Sequence, residues 1–172
     1  VAFLRQRIFD GAAYQINHTL RLHNHFRGDD LAWFSRLRAA QPDGYCAWLD
    51  IGRQRILSVS PELFFRRDGD VVTTRPMKGT AARGRWAAED RDQAGWLRNS
   101  AKNRAENLMI VDLLRNDLSR IARPHSVSVD ELFAVERHPT LWQMTSTIRA
   151  AVRSGIALDD IGVIPMTGVV VV

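Results

Sequence analysis

Apolar positions recur at helical spacing from Phe3 to Ala12, and from Tyr14 to Leu22 they alternate with polar ones as in a half-buried strand. Asp29 and Asp30 offer a cap to a second helix, which runs to Ala40 and stops at the turn cluster Gln41-Pro42-Asp43-Gly44. Tyr45 to Ile51, Arg55 to Ser60, Leu63 to Arg66 and Val71 to Arg75 read as an antiparallel meander, with Asp68-Gly69 as a two-residue hairpin turn. A stretch broken by Gly79 and Gly84 leads into a helical tract over Ala87 to Ile121, interrupted near Asn99-Ser100 and ended by Arg123-Pro124. Val127 to Glu136 and Leu141 to Val152 alternate again on either side of His138-Pro139. Strands, helices and more strands without regular βαβ alternation predict an α+β fold of antiparallel sheet and packed helices.

The composition suits one folded domain or part of a larger one: 172 residues, 45% hydrophobic and 25% charged. No run of about 18 apolar residues occurs, so the chain does not read as an integral membrane protein. A single cysteine, Cys46, cannot close an internal disulfide, and no charged-then-apolar leader opens the sequence, which favours a reducing cytoplasm. The net charge is +5 and the pI about 10.3. The cations are scattered among acids from Arg5 to Arg153 rather than gathered in a block, so no nucleic-acid partner is expected. Of 24 basic residues only Lys78 and Lys102 are lysines, leaving 22 arginines. Where arginine serves almost every cationic position, a lysine marks a place that needs an amine, because a guanidinium cannot be deprotonated to act as nucleophile or base.

Three places carry candidate chemistry. In Ser60-Pro61-Glu62 a proline interrupts a strand and a carboxylate follows; by itself Glu62 reads as a solvated edge glutamate. In Pro76-Met77-Lys78-Gly79-Thr80 the lysine leaves a strand beside a glycine that lets backbone N–H groups approach an anion and a hydroxyl that can donate to one; the plainer reading is a strand-ending turn. In Ala105 to Asp117, Glu106 and Asp117 share a helical stripe with Ile110 and Leu113, where a buried carboxylate needs a cation, a metal or donors, an arginine salt bridge being the plain alternative. No GxGxxG, P-loop, HExxH or paired CxxC is present. His18, His23 and His25 lie close in sequence, but His18 opposes the other two on the expected strand and no acidic or cysteine ligand adjoins them, so no metal site is expected there.

Taken in order, SPELFF, PMKGT followed by Ala82-Arg83-Gly84, AENLMIVDLLRND and TLWQMTSTI resemble the chorismate-utilising enzymes, over Tyr14 to about Asp160. YQINHTLRL near the start is similar to the YQVNLT strand of the aminodeoxychorismate synthase component I branch. Lysine at position 78 points to the same branch, since anthranilate, isochorismate and salicylate synthases typically carry alanine there. The resemblance implies an anthranilate synthase component I-like fold. It also implies conversion of chorismate and ammonia, supplied by a glutamine amidotransferase partner, into 4-amino-4-deoxychorismate on the route to p-aminobenzoate and folate. It assigns Lys78 as the nucleophile at ring C2 and Glu62 as the general acid for the C4 hydroxyl, a task that calls for partial burial. Glu106 becomes one ligand of Mg2+, and Gly79 and Thr80 hold substrate oxygen. Another chorismate enzyme, anthranilate synthase first, and a non-catalytic anion-binding or interaction domain are the alternatives.

A regular hairpin about Asp68-Gly69 sets Glu62 opposite Arg75 and Lys78 opposite Val59, on different faces of the sheet. The proposed acid and nucleophile therefore require a bulge or break, for which Pro61 is the candidate. The chain also departs from the family pattern. Trp142-Gln143-Met144 stands where many members have histidine, and Ile164 to Val172 resembles only the start of the family's glycine-rich GSVTGAPK-like segment. Residues 1–172 thus read as a partial chorismate-binding domain, without the family's amino-terminal part or its carboxy-terminal catalytic segment and second magnesium glutamate.

Overall fold

Capping residues, prolines and glycines set most of the element boundaries in the computed structural model, which describes residues 1–12, 16 and 18–162. The chain divides into two compact units, Val1–Trp33 and Phe34–Val172. In the first, α1 spans Ala2–Phe9, and Phe26 stacks on Trp33 with ring centroids 4.6 Å apart. The strand expected over Tyr14 to Leu22 falls partly outside the described residues; its described part, Ile16 and His18 to Leu22, lies in no strand. Helix α2, Asp30–Ala40, starts where Asp29 Oδ1 accepts from the N–H groups of Leu31 and Ala32 at 2.9 and 3.1 Å, the N-cap role expected of this aspartate.

Two sheets replace the expected meander. Strands β1 (Tyr45–Asp50) and β2 (Arg55–Ser60) pair only with each other. After Pro61 the chain enters a second sheet of β3 (Leu63–Asp68), β4 (Val71–Arg75), β5 (Met77–Ala82), β6 (Ser128–Arg137) and β7 (Leu141–Ala151). Pro61 thus separates two sheets, and β2 does not face β5.

The β3–β4 register is also shifted from expectation. Asp68 pairs Val71 and Arg67 pairs Val72, so the two-residue loop is Gly69-Asp70, with Gly69 at φ 60° in the first loop position, where a II′ turn places glycine. A register break between Leu63 and Arg66 then sets Leu63, rather than Glu62, opposite Arg75. Strand β5 extends through a stretch that read as broken at Gly79. Pro76 interrupts one long line of chain: β4 and β5 pair in succession with the same edge of β7, Val71 opposite Ala151 and Ala82 opposite Leu141. The other edge of β7 pairs with β6.

The helical tract breaks where expected. Helix α3 spans Ala87–Asn99 and α4 Ala101–Ser119, with Ser100 as the N-cap of α4, its Oγ accepting from Asn103 N–H at 3.4 Å. The buried face of α4 is Asn107, Ile110, Val111, Leu114, Asp117 and Leu118. Of the expected stripe, Ile110 and Asp117 are buried while Glu106 and Leu113 are exposed, because the helix seats itself about one residue further round. Ile110, Val111, Leu114 and Leu118 pack with Val72, Ile148, Ala150 and Val152 in the main core, each buried valine, leucine or isoleucine contributing about 1.5–3 kcal/mol. A smaller cluster joins Leu97 of α3 to Ala81 and Met144. The last described helix is α5, Leu158–Gly162. No helix among the described residues is long and apolar enough to cross a membrane.

Candidate active site

Strand β5 organises the candidate residues. Its first N–H, on Met77, points away from β7 and is accepted by Glu62 Oε1 at 3.0 Å, so the carboxylate of the β2–β3 connection caps β5 one residue before Lys78. Ser60 Oγ accepts from Glu62 N–H at 3.1 Å and fixes the local turn after Pro61. Glu62 is thus held against the backbone of the residue before Lys78, and the pairing departs from a regular ladder in two places. One is the register shift after Leu63 and the other is on β5 itself, between Met77 and Thr80.

That second shift is a bulge formed by Lys78 and Gly79, with Gly79 at φ 97°. A Cβ on Gly79 would lie 3.0 Å from Asn103 Cβ, so glycine is required twice, for its backbone angle and for the approach of α4. Lys78 is half-buried and has no hydrogen-bond or ion-pair partner among the described residues. Thr80 is exposed and donates to Gln143 Oε1 at 2.9 Å, while Gln143 Nε2 donates to the Gly79 carbonyl at 2.9 Å.

Glu106 stands one helical turn beyond Asn103. It is exposed, and its nearest cation is Lys102 Nζ at 3.9 Å, a solvated pair rather than the arginine bridge of the plain reading. Its open carboxylate fits the role of one oxygen ligand, but among the described residues no group of three histidines, cysteines or acids converges on any point. Glu62 is likewise exposed, so the described residues do not provide the burial that a general acid calls for.

The face of β7 toward the helices carries a polar link the sequence pattern did not reveal. Ser146 Oγ, fully buried, donates to Asn107 Oδ1 at 2.5 Å and accepts from Phe133 N–H at 3.1 Å. Phe133 lies in a bulge of β6 at φ 61°, beneath the Arg104 guanidinium at 4.8 Å. Asn103 and Asn107, an i,i+4 pair on α4, were the available signal that this end of the helix meets polar backbone rather than core.

The far end of β5 is tied to α3 through Asp90. Arg83 Nε and Nη2 donate to the two oxygens of Asp90 at 2.7 and 2.6 Å, and Gly84 N–H and the Trp142 indole N–H each add a bond at 2.9 Å. The Arg83 guanidinium holds the Asp90 carboxyl well below the usual carboxylate range, against an opposing effect of burial. On the other side of the sheet, Arg75 pairs with Glu136, which also accepts from Thr145. Beside them lie adjoining cavities of about 200 and 270 Å3 that share Asp43, Pro61, Met77 and His138. Lys78 lines neither of these two cavities.

A sequence profile described as chorismate binding enzyme matches residues 1–161. The chain belongs to the chorismate binding enzyme family. Among curated members it is 42% identical over 158 residues to aminodeoxychorismate synthase component 1 of Escherichia coli (strain K12), covering 92% of this chain and 35% of that protein. It is 38% identical over 156 residues to anthranilate synthase component 1 of Streptomyces coelicolor, covering 90% of this chain and 30% of that protein. The crystal structure of anthranilate synthase component I from Streptococcus pneumoniae superposes with a TM-score of 0.68 at 29% identity, over 79% of this chain and 29% of that one. The α+β architecture is thus that of the chorismate-utilising enzymes. The chain spans about a third of the length of the curated relatives it matches.

Proposed function

We propose that this chain forms part of the chorismate site of an aminodeoxychorismate synthase component I, acting in the cytoplasm on the route to p-aminobenzoate and folate. The observation that carries the reading is the junction at β5, where an unpartnered, half-buried lysine on a bulge follows directly on the backbone group that anchors Glu62. Arginine serves nearly every other cationic position, and an amine at this one suits nucleophilic chemistry.

In this scheme the Lys78 amine forms a bond to ring C2 of chorismate and gives up a proton, both ring double bonds shift toward C4, and the C4 hydroxyl departs as water with a proton from Glu62. Ammonia from a glutamine amidotransferase partner then enters at C4 and loses a proton, both double bonds return to their places, and Lys78 leaves as the amine with a proton, so one difficult displacement becomes two easier ones. The burial that keeps Glu62 protonated comes with the ring laid against it. Gly79 N–H donates to substrate oxygen, and Thr80 flanks that position with its hydroxyl proton held by Gln143 Oε1. Mg2+, when bound, neutralises the substrate carboxylate, with Glu106 as one of its ligands.

The high identity to anthranilate synthase component 1 of Streptomyces coelicolor supports anthranilate formation as the second reading. Product identity separates the two, because the amine is para to the carboxyl in one product and ortho in the other. The test is an assay of chorismate, ammonia and magnesium with this chain and with a chain extended to the length of its relatives. Aminodeoxychorismate from the extended chain supports the proposal. Anthranilate supports the second reading, and absence of both products contradicts the enzyme reading.

A further inference from the structure

One side chain makes two bonds at the Thr80 end of the Lys78–Gly79 bulge. Gln143 Oε1 accepts from Thr80 Oγ1 and Gln143 Nε2 donates to the Gly79 carbonyl, both at 2.9 Å. Thr80 and Gln143 are register partners in the β5–β7 ladder, so the amide reaches straight across. From the helix side, Asn103 closes against Gly79 and is itself held by Ser100 Oγ at 3.0 Å. A bulge interrupts the regular interstrand hydrogen bonds, so its conformation depends on side chains that bond its backbone. A terminal amide suits the task, since it offers a donor and an acceptor in one plane; a carboxylate lacks the donor and an aliphatic chain lacks both.

We infer that Gln143 is a positioning residue for Lys78: it sets the bulge that aims the amine, without itself touching substrate. The inference rests on the reading of Lys78 as the nucleophile. It gives the glutamine a task distinct from that of a histidine at the same place, because one amide bond is spent on the Gly79 carbonyl and the other on the Thr80 hydroxyl.

The two lysines make this directly measurable. The chain grown with 13C-lysine gives two Cε resonances, and Lys78→Arg assigns them. Gln143→Met keeps the side-chain length and removes both bonds, while Thr80→Val removes the hydroxyl alone. The Lys78 resonance moves in Gln143→Met, and moves less but in the same direction in Thr80→Val, while the Lys102 resonance stays in place. A Lys78 resonance unchanged in both variants overturns the inference. If Gln143→Met loses its fold, Thr80→Val decides, because Thr80 is exposed. Chorismate with magnesium added to the unaltered chain moves Lys78 if the substrate reading holds. A Lys78 resonance that responds to Gln143→Met and not to chorismate supports the positioning role and contradicts the substrate reading alone.

Discussion

Glu62 and Met77 are joined by a hydrogen bond of 3.0 Å from the Met77 backbone N–H to Glu62 Oε1, fifteen residues apart in sequence. The bond closes the outer edge of β5 at the point where β3 stops pairing with β4. It also sets a carboxylate beside the chain position that precedes Lys78. The amide of a glutamine can accept the same bond but cannot supply a proton as a carboxylic acid does. Glu62→Gln in a chain extended to the length of its relatives therefore lowers turnover of chorismate by about 10²- to 10⁴-fold. Because the site is exposed, stability changes by no more than about 0.5 kcal/mol in denaturant titration. Turnover within twofold of the unaltered enzyme removes Glu62 from the proton transfer.

Gly84 and Gly95 give opposite outcomes for the same substitution. A Cβ on Gly84 would lie 2.1 Å from Asp90 N, a backbone contact that cannot give way without moving the start of α3. Gly84→Ala costs about 1–3 kcal/mol or more. Gly95 is inside α3 with nothing within 4 Å of its would-be Cβ, so Gly95→Ala gains about 0.5–1 kcal/mol from helix propensity. Thermal melts of the two variants check both, and equal melting temperatures contradict the packing described around Asp90.

Acid sensitivity follows from Asp90. Its carboxyl is held below the ordinary value of 3.8, first by the hydrogen bonds from Arg83, and further by Gly84 N–H and Trp142. A carboxyl depressed in the folded state stabilises the fold fully above its unfolded pKa, and that contribution drains away as pH falls below about 4. Asp90→Asn thus melts lower than the unaltered chain at pH 6, and the gap narrows toward pH 2.5. A gap that stays constant over that range contradicts the pairing.

The proposed role of Glu106 is as one ligand of magnesium. Magnesium titrated into this chain alone, followed by calorimetry, binds with a dissociation constant in the millimolar range or weaker. In a chain of the relatives' length, Glu106→Gln raises the magnesium concentration required for half-maximal turnover by at least about tenfold, the loss of one charged ligand being about 1.4 kcal/mol or more. An unchanged magnesium requirement removes Glu106 from the site.

Local signals were the most legible part of the sequence. Asp29 and Ser100 cap helices because their side chains satisfy N–H groups within three residues, and such signals need no knowledge of the rest of the fold. The α+β class was legible for the same reason. Strand β5 was not, because Pro76 and Gly79 break a regular strand; here β7 pairs with the chain on both sides of the proline and past the bulge. The hairpin register slipped by one because the sequence Asp68-Gly69-Asp70 fits two loop positions, and only pairing further along the sheet selects Gly69-Asp70. Lys78 stood out by its chemistry in an arginine-rich chain. Gln143 and Asn103 did not, since what they meet on β5 is distant in sequence: Gln143 bonds the Gly79 carbonyl and the Thr80 hydroxyl, and Asn103 packs against Gly79.

The central claim is that the Lys78 amine bonds to the chorismate ring. Intact mass followed by peptide mapping, on a chain of the relatives' length incubated with chorismate and magnesium without ammonia, tests it most directly. The account predicts one adduct with the mass of chorismate less one water, located on Lys78 and absent from Lys78→Ala. An adduct confined to Lys102, or aminodeoxychorismate formed at an undiminished rate by Lys78→Ala, would contradict it.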